Sequence, residues 1–343
     1  MNRPLFLPLA ACTEPSLVGG KAAGLARLIA GGFAVPQGFC VTTEAYARAL
    51  RVPGFSPARQ WQAALHASGA ERQRVLSHCH TIIQDFDIVD LTAQIAEQVR
   101  GLHLTSPGLW AVRSSATNED SPHASFAGVY RTRLGISPGE IGSAVKDLWL
   151  SIWDDRVLNY HERSGLSGVP PAMAVVIQPM LDACAAGVAY SIHPLTGRAT
   201  QVAINAVAGL ALALVDGLAT PDQYVVVMAE NSQPIRIRER TITGQTQALR
   251  VTGQGLREVP LSDDAAGRAT LSDAVRSPPW SSTGTQPSPH PGPGRLLSTS
   301  WHHSQIRRLL STSCRGARIG GRPSGGLFSG GRRRGPSGVD GGG

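Results

Sequence analysis

The composition of the chain breaks near residue 273, and that break limits how much of it can fold. Residues 274–343 hold 15 Gly, 8 Pro and ten Arg, with no Lys, no Glu and only Asp340 as an acid. Such a segment buries too little apolar surface to offset its ordering entropy. The expectation is a folded unit over residues 1–265 and a disordered low-complexity Arg/Gly/Pro/Ser tail over 266–343. Three origins fit that tail: a natural basic extension, a linker, or a frameshifted reading of a GC-rich gene, which the residue mix favours. The net charge of +8 comes from the tail, because residues 1–273 carry 22 basic and 23 acidic side chains. Arg307, Arg308 and Arg332–Arg334 would allow loose, salt-dependent contact with nucleic-acid phosphates. No aromatic platform or nucleic-acid fold accompanies them, so nucleic acid is not the expected partner.

The body has the apolar content for a core, the chain being 42% hydrophobic. No apolar run approaches the ~20 residues of a membrane helix, so no membrane partner is expected. The N-terminal "MNRPLFLPLAAC" is interrupted by Pro4 and Pro8 and reads as a first strand rather than a leader. The five cysteines are scattered without metal-ligand spacing, which suits a reduced, cytoplasmic setting. Only two of the 32 basic residues are lysines, Lys21 and Lys146. With arginine so favoured, a lysine carries more information than an average arginine.

Periodicity assigns an α/β mixture to the first 260 residues. A glycine turn leads into a helix over 18–32, with Leu25, Leu28 and Ile29 on one face. A short strand follows, then a helix start in which Thr43 caps and Glu44 lies in the first turn. Residues 58–102 read as mostly helical. Strands at 109–113 and 129–134 flank a polar loop, and one helix is expected over 138–164. Apolar runs at 173–181, 187–192, 201–207 and 223–228 read as strands. The alternating 235–243 reads as an exposed antiparallel strand.

Four features carry chemistry. Lys21 follows Gly19-Gly20 and opens a helix, whose N-terminal N–H groups attract anions; alone, such a Gly-Gly-Lys is an ordinary helix start. Arg113 ends an apolar strand and is followed by Ser114, Ser115 and Thr117, a pattern that suits bidentate phosphate binding. A structural ion pair with Glu119 or Asp120 explains Arg113 equally well. Gly128 would let backbone approach a ligand, or simply mark a turn. Gln178 is the one polar residue of "VVIQPM", and could meet a base edge or be a satisfied core glutamine. The histidines in "SHCH" and "WHH", and His193, carry little metal or catalytic signal.

Taken together and in order, "VGGKAAGLARL…VPQGFCVTTEAY", "WAVRSSATNEDSPHASFAGVYRTRL", "LWLSIWDDRVLNY", "MAVVIQPML…AGVAYSIHPLTG" and "GLATPDQYVV" resemble one known family. It is the ATP-binding domain shared by phosphoenolpyruvate synthase, pyruvate phosphate dikinase and rifampicin phosphotransferase. The resemblance covers about residues 15–260. It implies an α+β, ATP-grasp-like fold whose two lobes grip ATP. It also implies Mg²⁺ as cofactor and transfer of a phosphoryl or pyrophosphoryl group to a histidine on another domain. By position, Lys21 and Arg113 would hold the polyphosphate. Gly128 and Thr132 would line the nucleotide site, Gln178 would meet the base, and Ser114, Ser115 and Thr117 would fill the phosphate-side loop.

Departures from the family pattern qualify those expectations. Leu212, in "GLAL", stands where the family usually has a glutamate. The "IEW"- and "QARP"-type strands, which add a metal-binding glutamate, a glutamine and an arginine, do not appear, and neither does the phosphohistidine motif. The expectation is therefore an ATP-binding phosphotransferase domain, truncated and impaired. The alternative is one subunit of a split enzyme, completed by a partner chain that carries the phosphohistidine and acceptor-binding parts.

Overall fold

The computed structural model describes residues 3–104, 108–119, 129–165, 168, 170–227, 236–253 and 255–271. Five strands form one antiparallel sheet: β1 (Phe6–Pro8), β2 (Phe39–Val41), β3 (Trp110–Ala116), β4 (Thr132–Ile136) and β5 (Met173–Pro179). Their order is β1-β2-β5-β3-β4. A second antiparallel sheet is a meander of β6 (Ala185–Tyr190), β7 (Gln201–Ala208), β8 (Asp222–Val227) and β9 (Arg236–Thr241). The hairpin of β10 (Gln247–Thr252) and β11 (Gly255–Pro260) stands beside it. Gly209 bridges to Leu249, and Leu256 sits under Gly135 of β4, so the hairpin touches both sheets.

The period of two along the central strands sorts their side chains to opposite faces. On one face Trp110, Val112, Ala116, Met173, Val175 and Ile177 join the largest core. The cover on that side is α2 (Thr43–Ala49), α3 (Pro57–His66), α4 (Gly69–Asp85), α5 (Val89–Gly101), α6 (Ile141–Leu150) and α7 (Asp155–Arg163). On the other face Ala174 and Val176 pack against α1 (Pro15–Ala30). Short helices α8 (Leu212–Val215) and α9 (Asp263–Ala266) belong to the second half of the chain. The result is the α+β, two-lobed arrangement expected of an ATP-grasp-like domain. Among the described residues no helix is long and apolar enough to cross a membrane.

Three local expectations are revised. The deepest face of α1 is Ala22, Ala23 and Ala26 with Val18, whereas Leu25 and Ile29 are only partly buried. Small side chains let the helix lie close to the sheet, so the leucines end up on its flanks. Thr42, not Thr43, is the N-cap residue of α2, and the Thr43 hydroxyl donates to the Ser16 carbonyl instead (3.1 Å). The helix expected over 138–164 is two helices, α6 and α7, joined through Ser151–Trp153. There Ile152 and Trp153 turn wholly into the core, and their burial outweighs helix continuity.

One buried carboxylate ties the second sheet to the residues that follow it. Asp222 accepts hydrogen bonds from the Thr243 amide (2.9 Å) and hydroxyl (3.1 Å). It also accepts them from the Thr270 amide (2.8 Å) and hydroxyl (2.6 Å). Tyr224 then receives the Leu271 amide at 3.1 Å, and Leu271 is buried in the sheet's own core. Burial opposes the charge of Asp222, but the donors from Thr243 and Thr270 outweigh it and hold the carboxyl below its usual range. The unfolded carboxyl binds its proton first as pH falls, so this contribution is full above about pH 4 and is lost below it. Asp222→Asn is expected to destabilise the fold by about 2–3 kcal/mol at neutral pH. Urea unfolding followed by circular dichroism checks this, and the difference between variant and wild type should narrow in acid.

Candidate functional site

Gly19 creates the site. Its φ of 72° and ψ of 173° interrupt α1, so a fresh helical segment starts just after it. A side chain at that φ is strained, and a Cβ would overlap the Ser115 carbonyl. The close approach lets Ser115 act as a cap supplied from the sheet. Its hydroxyl donates to the Val18 carbonyl (2.7 Å) and accepts from the Ala22 amide (3.0 Å). The new N-terminus and Lys21 are thereby fixed over the end of β3.

Register brings the other residues to the same face. Arg113 pairs with Val176 of β5 on one side and with Thr132 of β4 on the other. Ser115 pairs with Ala174, and Ala111 with Gln178. Directly paired residues share a face, and Ala174 and Val176 lie on the α1 side. Arg113, Ser115, Thr132 and Gln178 therefore all belong to the face that α1 crosses. The guanidinium of Arg113 makes no ion pair among the described residues; burial lowers its pKa and the nearby Glu119 charge raises it. Arginine stays charged under these conditions, so Arg113 is a partly desolvated cation with no direct counter-ion among the described residues.

Lys21 is differently placed. Its Nζ contacts the Ser114 carbonyl at 2.5 Å and Glu119 Oε1 at 2.9 Å. The other oxygen of Glu119 accepts from the Ala116 amide at 3.2 Å. Of the two ion-pair partners proposed for Arg113, Glu119 thus pairs with Lys21, and Asp120 lies outside the described residues. Gly128 lies outside them too. The Ser114 hydroxyl points to the opposite face and is buried without a hydrogen-bond partner among the described residues. Thr117 is used to hold the turn, its Oγ1 accepting from Ala172 N (3.1 Å) and its own amide donating to the Ala172 carbonyl (3.0 Å). Gln178 is 5% exposed, and its Nε2 donates to the Pro36 carbonyl (3.0 Å).

Behind the turn stands a network that no sequence signal marked. Tyr130 donates to Asn118 Oδ1 (2.8 Å), and Asn118 Nδ2 donates to His161 Nε2 (2.7 Å). Trp61 packs edge-on against the His161 ring, with centroids 5.1 Å apart. Burial pushes the His161 pKa down from 6.5 to about 4, so the ring is neutral and can accept. His193 lies in a turn, where its Nδ1 accepts from the Leu195 and Thr196 amides (3.3 and 3.4 Å), a structural role. Leu212, in place of a family glutamate, begins α8. No group of three or more His, Cys, Asp or Glu that could hold a metal occurs among the described residues. No step is therefore assigned to a metal ion.

The domain described as "Pyruvate phosphate dikinase, AMP/ATP-binding domain" matches residues 15–309. The chain belongs to this family. It is 34% identical over 245 residues to phosphoenolpyruvate synthase of Aeropyrum pernix, covering 68% of this chain and 29% of that protein. Rifampicin phosphotransferase of Streptomyces sviceus is 33% identical over 269 residues, with 76% of this chain and 30% of that protein covered. Prodigiosin synthesizing transferase PigC of Serratia marcescens is 36% identical over 250 residues, with 71% and 25% covered. The chain thus spans under a third of the length of these relatives. The family match makes this chain an AMP/ATP-binding domain.

Two outcomes test this architecture. Gly19→Ala is expected to destabilise the domain by at least about 2 kcal/mol, since strain at positive φ adds to a backbone overlap; thermal unfolding reads it. The depressed His161 pKa makes the unfolded imidazole the better proton acceptor, so stability falls as pH drops from 6.5 towards about 4. His161→Gln should flatten that part of the stability-against-pH curve.

Proposed function

We propose that the chain binds ATP on the α1-side face of the first sheet as the nucleotide module of a phosphotransferase of the phosphoenolpyruvate synthase type. The observation that carries this is the half-buried Arg113 guanidinium, which lacks a direct counter-ion among the described residues and shares its face with Lys21. A cation held out of water without a paired anion is a site prepared for one. In this reading Lys21 and Arg113 grip the polyphosphate, and Ser115 holds the start of the helix against it. Ser114 contributes its carbonyl to fix Lys21, and Thr117 fixes the turn. Thr132 and Gly128 line the nucleotide, and Gln178 stands on the same face towards the base. These groups stabilise the phosphates electrostatically and hold them in line.

The phosphoryl acceptor in this reading is a histidine on another domain, in a longer chain or on a partner, which would pass the group to pyruvate, a rifamycin or another acceptor. Mg²⁺ would neutralise phosphate charge, with ligands contributed from beyond the described residues. A cytoplasmic site of action goes with the ATP requirement.

Titration of the full chain with a fluorescent ATP analogue tests the binding claim. Lys21→Gln and Arg113→Gln should each weaken ATP binding by about 10- to 100-fold, the range of a charge-assisted hydrogen bond, and leave adenosine binding unchanged. No binding of ATP to the wild type at millimolar concentration would rule the reading out.

A further inference from the structure

The ammonium that should receive phosphate is already engaged. Glu119 Oε1 lies 2.9 Å from Lys21 Nζ, and the two side chains are only 12% and 23% exposed. The carboxylate also acts through space on Arg113. The three charges form one shielded cluster with a single excess positive charge. We infer that Glu119 is a built-in counter-anion, which occupies Lys21 when the site is empty and competes with the phosphate of the nucleotide. This inference rests on the proposed ATP site.

The surroundings specify how the competition works. The turn bearing Glu119 is pinned on three sides: Thr117 to Ala172, Asn118 to Tyr130 and His161, and the Glu119 amide to the Ala116 carbonyl (3.2 Å). The backbone therefore stays in place, and release must come from rotation of the side chain. Two like charges a few ångströms apart in a poorly solvated site repel each other. Phosphate arriving at Lys21 must displace the carboxylate or share the ammonium with it at a cost. Since Glu119 also accepts the Ala116 amide, a glutamine can keep that hydrogen bond while losing the charge. The device lowers affinity in proportion to the negative charge a ligand brings to Lys21 and leaves an uncharged ligand such as adenosine unaffected.

Glu119→Gln tests it in the full chain. ATP is expected to bind about five- to tenfold tighter to the variant, with adenosine unchanged, as removal of one close like-charge contact requires. Glu119→Asp, with its carboxylate withdrawn by one methylene, should shift in the same direction by less; it also serves if the glutamine variant does not fold. A second readout needs no nucleotide. Lys21 and Lys146 are the only lysines in the chain, so acetylation by acetic anhydride can be assigned to each by mass spectrometry. Lys146, whose amine donates to the Gln84 and Phe86 carbonyls, is the internal reference. Lys21 should acetylate several-fold faster relative to Lys146 in the glutamine variant than in the wild type. Unchanged or weaker ATP binding by the variants, or unchanged Lys21 labelling, overturns this inference alone. Absence of ATP binding by the wild type overturns the ATP-site reading and this inference with it.

Discussion

The contact between Gly19 of α1 and the backbone of Ser115 in β3 is the constraint on which the rest of the site depends. Gly19 and three alanines bring the helix close enough for the Ser115 hydroxyl to enter its backbone. That contact breaks α1, starts a new segment and points Lys21 along the end of β3. A larger residue at position 19 would push the helix away, and the serine cap, the lysine and the arginine would no longer share one space.

Electrostatics then divides the work between two cations. Lys21 is a compact ammonium on a flexible stem and can be held by a carbonyl and a carboxylate until a ligand arrives. Arg113 is fixed by its strand and stays half-desolvated, with Glu119 acting on it only at a distance. The turn that carries Glu119 is held from behind by Asn118, Tyr130 and a neutral His161. A neutral ring matters there, because only an unprotonated Nε2 can accept from Asn118. Among the described residues the site thus pairs two cations with one carboxylate, that of Glu119.

Much of this was legible in the chain. The central strands β3 and β5 read as apolar runs, and the helical stretch 58–102 resolves into α3, α4 and α5. Lys21 stood out because a lysine is rare in this arginine-rich chain, and Arg113 because it closes the apolar strand expected over 109–113; β3 in fact continues through Ser114 and Ser115 to Ala116, so Arg113 lies mid-strand. The single helix expected over 138–164 was misread because its periodicity continues through Ser151–Trp153, where only the burial of Ile152 and Trp153 reveals the break. The direction of the Ser114 hydroxyl, the structural use of Thr117 and the partner of Glu119 were not legible. Each depends on which neighbour the fold places across a gap of tens of residues.

By itself the sequence determined a mixture of helices and strands, the order of most elements up to β9 and the residue types that could meet a phosphate, while the α+β fold came from its family resemblance. Spacing within a strand or helix is a local property, and side-chain chemistry does not change with the fold. Only the tertiary structure decided which of these groups face one another. The antiparallel register of β4, β3 and β5 sets Thr132, Arg113 and Gln178 on one face. The positive φ of Gly19 then delivers Lys21 to that face from a helix 92 positions earlier in the chain than Arg113. Glu119, six residues beyond Arg113, pairs with Lys21 instead, because distance in space, not along the chain, sets the strength of a charge pair.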